Sequence, residues 1–315
     1  LSGTRPSVDL GSPDLRINLS LMRDRASLAI DLSGEPLHRR GYRQSGVEAP
    51  LKENIAAALL MRCGWPAIAE AGGAFVDPMC GSGTLVIEAA LLAANVAPGL
   101  LRRRFGFERW RQHQPDVWEE LRAEAVARRR LEAVTPGRFR GYDRDQQAVR
   151  AALANSGRSG VGDNLIFERR DIAQCPVAAQ SHGLVLVNPP YGARLDDGAT
   201  LEPLYAQLGV KLMECFPGWE AGVFTGNPPL GRALRLRAYR AHTFFNGPIE
   251  CRLLRFELLP QTVEPDAETA RRTRLEAARA RPGAEMFGNR LRKNFARLEA
   301  WAKRQDVACF RVYDA

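Results

Sequence analysis

Asn188-Pro189-Pro190-Tyr191-Gly192 sets hydrogen-bond acceptors beside one aromatic ring, with no strong base among them. The two prolines carry no N–H and fix φ, so the local chain leaves the carbonyls of Asn188 and Pro189 rigid and unpaired. Such a loop suits a planar exocyclic amine. An amine conjugated to a ring is a poor nucleophile until both its hydrogens are bound and the nitrogen can pyramidalise. The Asn188 side-chain oxygen and the Pro189 carbonyl can bind those hydrogens and aim the lone pair at an electrophilic methyl group, while Tyr191 stacks on the ring. The proton can leave after transfer, when the nitrogen has become acidic. Asn188, Pro189, Pro190 and Tyr191 are therefore the catalytic candidates. A second Asn-Pro-Pro, Asn227-Pro228-Pro229-Leu230, lacks the aromatic and reads as a turn.

The methyl donor needs its own cradle, and Asp77-Pro78-Met79-Cys80-Gly81-Ser82-Gly83-Thr84 has the composition of one. It lies between an apolar run at 74–76 and a helical run at 85–94, which spells strand, glycine turn, helix. Gly81 and Gly83 allow positive φ and close approach of a ligand, and the N–H groups at the helix start are expected to be unpaired and to point outward. The turn lacks the third glycine of G-x-G-x-x-G, and no hydride-handling histidine follows, which argues against a dinucleotide-dependent oxidoreductase.

These two loops meet only if the elements around them form one sheet. Strand-like runs at 139–142, 165–170, 183–187 and 221–225 alternate with helical runs at 146–156 and 201–216. A closing pair at 241–245 and 252–258 is joined through Asn246-Gly247. With 74–76 this predicts an α/β fold, a doubly wound sheet of seven strands, mostly parallel with one antiparallel strand. Ligands of such sheets sit beyond the carboxyl ends of the strands, where Asp77, Asp143, Asp171 and Asn188 fall. Asp143, followed by Arg144, is the expected ribose ligand; Asp171 is placed to accept from an adenine amine, with Ile172 beside the ring. Each acid alone also reads as a helix cap, as Asp145 does.

Upstream, runs at 15–21 and 26–32 alternate as a hairpin with one buried face. Residues 36–44 set Arg39, Arg40 and Arg43 around Tyr42, a pattern that suits nucleic acid or, alternatively, a solvated linker. A helix is expected from Pro50 through Leu51, Ile55, Leu59 and Leu60 to a stop at Gly64-Trp65-Pro66. An insertion at 98–134 carries Arg102, Arg103, Arg104, Trp110 and Trp118; it reads as RNA contact or as a covering helix with its tryptophans in the core. Net charge +9 favours a polyanionic partner, although an arginine-rich composition can also reflect genomic base content. Six scattered cysteines without a CxxC pair, and four histidines, argue for a reducing compartment and against a metal site. The absence of a long apolar run or leader completes the expectation of a cytoplasmic protein with no membrane partner.

Taken together, Asp77 to Thr84 and Asn188 to Gly192 resemble the class I S-adenosylmethionine-dependent methyltransferases of exocyclic amines. Leu37-His38-Arg39-Arg40-Gly41-Tyr42-Arg43, Ala49-Pro50-Leu51-Lys52-Glu53 and Asn246-Gly247-Pro248-Ile249-Glu250-Cys251 make the chain similar to the THUMP-linked RNA guanine-N2 methyltransferases, in particular to bifunctional enzymes of large-subunit ribosomal RNA. The resemblance, from about residue 13 to the end, implies a Rossmann-like catalytic domain at 49–260. Residues 1–48 would be the tail of a THUMP-like RNA-binding domain with a linker, 261–283 a second linker, and 284–315 the opening of a covalently linked second methyltransferase module. The resemblance also implies S-adenosylmethionine as cofactor, S-adenosylhomocysteine as product and no metal. Asp77, Pro78, Cys80, Gly81, Ser82, Gly83 and Thr84 would hold the methionine moiety, with Lys52 and Glu53 beside the pocket and Asn188 shared with the catalytic set. The implied substrate is a guanosine of large-subunit ribosomal RNA, free or in an assembling ribosomal particle, with its base extruded to reach Tyr191. Two readings stay open beside it: an adenine-N6 nucleic-acid methyltransferase using the same loop, and a non-catalytic RNA-binding module.

Overall fold

Gly183-Leu184-Val185-Leu186-Val187 is apolar throughout, which only a strand covered on both faces tolerates. In the computed structural model this segment is β6, buried along its whole length at the middle of a seven-stranded sheet. The structure describes residues 7–9, 11, 13–43, 51–192, 201–259 and, further on, Lys293, Arg297, Ala300 and Arg304. The chain divides into two units, Leu1–Pro260 and Gln261–Ala315. The first joins segments expected to be separate, 1–48 and 49–260. In the second, the four described residues are helical and exposed; the expected linker at 261–283 lies outside the described residues.

The first unit opens with β1 (Arg16–Met22) and β2 (Arg25–Asp31), an antiparallel hairpin turned by Arg23 and Asp24, both at positive φ. The expected buried face is absent: Ile17, Leu19, Leu21, Leu28 and Ile30 are all exposed. Next come α1 (Glu53–Arg62), α2 (Trp65–Glu70), β3 (Ala74–Asp77), α3 (Thr84–Ala93), α4 (Pro115–Ala127), β4 (Phe139–Asp143), α5 (Gln146–Gly157) and β5 (Leu165–Arg169). After β6 follow α6 (Glu202–Cys215), β7 (Glu220–Thr225), β8 (Arg240–Asn246) and β9 (Ile249–Glu257). Helix α1 starts at Glu53, with Lys52 as its cap, and the proline expected in its first turn lies outside the described residues. The expected stop at Gly64 is a corner: Gly64 takes φ 77° and Trp65-Pro66 begins α2, because Pro suits a helix's first turn.

The sheet order is β5-β4-β3-β6-β7-β9-β8, parallel except for β9, which runs antiparallel to both its neighbours. Successive strand residues point to opposite faces. Thus Phe75, Leu184 and Leu186 pack with Trp65, Leu59 and Ile87 in one core, and Val76, Val185 and Val187 pack with Tyr205, Leu208 and Leu212 in the other. The insertion is held as a covering piece by small aromatic contacts, Trp118 meeting Phe107 edge-on at 4.9 Å. Its tryptophans are half-buried and belong to neither core. No helix among the described residues is long and apolar enough to cross a membrane.

Candidate active site

The sheet reverses its order between β3 and β6, which are adjacent and parallel, with Val76 opposite Val185. The loops that leave these two strands therefore emerge side by side at one rim, the Asp77–Thr84 turn from β3 and the Asn188–Tyr191 loop from β6. Asp143, at the end of β4, joins them from the other side of β3.

Hydrogen bonds bind the turn to its surroundings. The amides of Met79, Cys80 and Gly81 donate to Asp77 Oδ1 (3.0 Å), the Tyr142 carbonyl (2.8 Å) and Asp143 Oδ2 (2.9 Å); Gly83 N–H donates to the Cys80 carbonyl at 2.8 Å. Of the amides at the helix start, expected to be unpaired, that of the cap residue Gly83 is thus taken up within the turn. Asn155 Nδ2 donates to the Ser82 carbonyl at 3.0 Å. Gly81 and Gly83 both take positive φ, 52° and 82°, but for different reasons. A Cβ on Gly83 would lie 2.9 Å from the Phe167 ring, so close packing requires glycine there. A Cβ on Gly81 would meet nothing within 4 Å, so on that side the turn leaves space a ligand could fill.

Glu53 connects to this turn through Arg43, while Lys52 is exposed and caps α1, the same helix. Glu53 is buried and pairs with Arg43 Nε at 3.6 Å, while Arg43 Nη2 donates to Thr84 Oγ1 at 2.6 Å and to the Leu51 carbonyl at 2.8 Å. Arg40 and Tyr42 both meet Glu88, a buried carboxylate on α3; the Tyr42 hydroxyl donates at 3.1 Å and its ring has no exposed surface. Arg102 donates to the carbonyls of Ser33, Glu35, Pro36 and Arg39. The expectation that Arg40, Tyr42, Arg43 and Arg102 meet RNA is corrected: Arg40 and Tyr42 are engaged by Glu88 and Arg43 by Glu53, because a buried carboxylate requires cations and donors, and Arg102 is engaged by backbone carbonyls. Arg39, Arg103 and Arg104 are exposed.

At the far strands, Asp143 is half-buried and its Oδ1 also accepts the Asp145 N–H; Arg144 is exposed. Asp171 is exposed and caps a short 3-10 helix through Ala173 N–H at 2.9 Å. Ile172, expected beside a ligand ring, is instead buried in the second core with Tyr142 and Cys175. Asp77 is fully buried. Burial, with the Asp143 charge adding, pushes its carboxyl well above 3.8 against the Met79 hydrogen bond. The folded chain thus holds this proton to higher pH than the unfolded chain, and the contribution of Asp77 to stability is expected to fall as pH rises above about 4. Asp77→Asn keeps an acceptor for Met79 and should flatten that decline in thermal unfolding scanned from about pH 4 to 7; an unchanged slope would remove Asp77 as its source.

The acceptor loop is braced on two sides. Tyr205, buried on α6, donates its hydroxyl toward the Pro190 carbonyl at 3.3 Å and shares a 2.9 Å bond with Thr225 Oγ1; burial pushes this phenol up to about 12. Asn246 Nδ2 donates to the Tyr191 hydroxyl at 3.2 Å. Asn188 Oδ1 is buried and accepts no hydrogen bond from the described residues. A buried carbonyl oxygen left so is an acceptor awaiting a donor. The second Asn-Pro-Pro opens a 3-10 helix, Pro228–Leu234, after β7.

A parallel sheet with one antiparallel strand, a glycine turn and an acceptor loop at its switch point define the class I methyltransferase fold. A methyltransferase solved with SAH, SMU.472, superposes with TM-score 0.70 at 31% identity, covering 78% of this chain and 62% of its own. A predicted N6-adenine-specific DNA methylase from Listeria monocytogenes gives 0.67 at 32%, covering 77% and 60%. The family UPF0020, the RMKL-like methyltransferase domain, matches residues 40–255, and the chain belongs to it. The ribosomal RNA large subunit methyltransferases K/L of Allochromatium vinosum and Pseudomonas aeruginosa are 52% and 45% identical over the whole of this chain. The chain spans 42% and 45% of their lengths, less than half of the curated relatives it matches.

Proposed function

We propose that this chain transfers a methyl group from S-adenosylmethionine to the exocyclic N2 amine of a guanosine in large-subunit ribosomal RNA, free or in an assembling particle. The observation that carries the reading is the buried Asn188 oxygen, without a hydrogen-bond partner among the described residues, one strand away from an open glycine turn. The donor set fits the cofactor: Gly81 leaves room, Asp143 presents a carboxylate for ribose hydroxyls, and Asp77 to Thr84 form the wall for the methionine moiety. S-adenosylmethionine supplies an electrophilic methyl group when bound. The chain's part is to hold the amine: Asn188 Oδ1 and the Pro189 carbonyl accept its two hydrogens, the nitrogen lone pair is freed from the ring, and Tyr191 supports the base. No base is needed before transfer, since the proton becomes acidic only afterwards.

The names of the relatives and the blocks around His38 and Cys251 support ribosomal RNA, and guanine-N2 chemistry rests on the resemblance to the RNA guanine-N2 methyltransferases. By the same reading the β1–β2 hairpin closes a THUMP-like domain, 261–283 is a linker and 284–315 opens a second methyltransferase module. Adenine-N6 transfer is the second reading, favoured by the likeness to the Listeria protein. Nucleoside mass spectrometry of in vitro transcribed large-subunit ribosomal RNA separates them. N2-methylguanosine is expected with the wild-type chain; N6-methyladenosine in its place would decide for the second reading.

A further inference from the structure

The antiparallel end of the sheet reaches the acceptor loop. Strands β8 and β9 meet through Gly247-Pro248, with Asn246 paired to Ile249, so their turn extends past the carboxyl end of β7, on the rim where Asn188 emerges. From this turn Asn246 donates to the Tyr191 hydroxyl at 3.2 Å, and Cys251 Sγ lies 3.9 Å from the same oxygen. Behind the ring is Gly226, just after β7. A Cβ there would lie 2.4 Å from Tyr191 Cε2 and 3.1 Å from Ile249 Cγ2, so the ring edge and Ile249 rest together on bare backbone. The ring is partly buried against the first core.

We infer that Asn246 is a positioning residue for methyl transfer: its side-chain amide fixes the Tyr191 hydroxyl and with it the orientation of the aromatic wall that receives the target base. The inference rests on the methyl-transfer reading of the Asn188–Tyr191 loop. Gly226 stops the ring from moving backward but does not set its tilt. The hydroxyl is the only polar atom of that side chain, so the bond to Asn246 acts as a lever at the end farthest from the backbone. Reactivity responds steeply to small misplacements of reacting groups, so a bond that touches neither cofactor nor amine still enters the rate.

The test is a double-mutant cycle on the whole chain with Asn246→Ala, Tyr191→Phe and the pair. Tyr191→Phe keeps the ring and removes the oxygen that both Asn246 and Cys251 meet, so it reads the loss of that anchor even if Asn246→Ala folds poorly, and the double variant isolates the share of Asn246. Single-turnover rates on in vitro transcribed large-subunit ribosomal RNA should fall by about tenfold in each single variant, a typical worth for one hydrogen bond. The double variant should be no slower than either, and S-adenosylmethionine affinity by calorimetry should be unchanged. Losses that multiply, an unchanged Asn246→Ala rate, or a matching loss of cofactor affinity would each overturn the positioning role. If wild type makes a methylated nucleoside other than N2-methylguanosine, the function proposed above is wrong and the cycle is read on that product. If wild type methylates nothing, the same cycle is read in thermal unfolding: non-additive shifts sustain the Asn246–Tyr191 coupling and additive shifts end it.

Discussion

Asn188→Ala is expected to slow methyl transfer by about 10²- to 10³-fold, the usual effect of deleting one preorganised polar partner of a reacting group, while leaving S-adenosylmethionine affinity within a few-fold of wild type. The reasoning turns on what the Asn188 oxygen lacks. It is buried and receives no hydrogen bond from the described residues, so it is already desolvated before any amine arrives. The amine therefore gains a bond without having to displace a competing one, and the gain grows as the nitrogen pyramidalises and its hydrogens become more acidic. Removing the oxygen leaves one hydrogen of the amine unbound and its lone pair tied to the ring. Asn188→Asp keeps the shape and an acceptor but adds a charge where water is scarce, so its loss should be smaller than that of alanine. Single-turnover transfer of radiolabelled methyl, paired with calorimetry of the cofactor, separates rate from binding. A rate within tenfold of wild type for Asn188→Ala would remove the residue from the chemistry.

The parts of this site that are legible in sequence are the local ones. Two adjacent prolines after an apolar strand, and two glycines between strand and helix, dictate backbone shape wherever they stand. The alternation of strands and helices then fixes which strand ends share a rim, and the Asn246-Gly247 turn predicts the reversed final strand. What composition hides is partnership across long separations. Arg40, Tyr42 and Arg43 read as an RNA-facing cluster until Glu88, 48 residues from Arg40, is seen opposite the first two and Glu53 opposite the third. The signal that could have found this is Glu88 itself, a lone carboxylate in the apolar helix 84–93, which must draw cations inward. Tyr205, Asn246 and Gly226 give less warning, since an aromatic on a helix, an asparagine in a turn and a glycine after a strand all have ordinary structural readings. The exposed β1–β2 face shows the opposite failure: alternation predicts which face is apolar, but not what covers it.

Asp143→Ala is expected to weaken S-adenosylmethionine binding by about 100-fold, from the roughly 1.5–3 kcal/mol that a hydrogen bond to a charged group contributes. Both carboxylate oxygens already hold backbone amides, Oδ2 that of Gly81 and Oδ1 that of Asp145. Each oxygen keeps a second lone pair, and Asp143 is only half-buried. The same group ties the glycine turn to the end of β4, and in the proposed function it also accepts from the ribose, which would couple the shape of the turn to the cofactor's sugar. Asp143→Asn retains one acceptor and loses the charge, so its affinity should fall between alanine and wild type; an order in which Asn binds no better than Ala would mean that the charge alone matters. Saturating cofactor should restore most of the rate in Asp143→Ala, in contrast to Asn188→Ala, where no concentration restores it. Calorimetry and rate measured against cofactor concentration check both statements. If Asp143→Ala binds S-adenosylmethionine as wild type does, the ribose lies elsewhere and the carboxylate serves only the Gly81 turn.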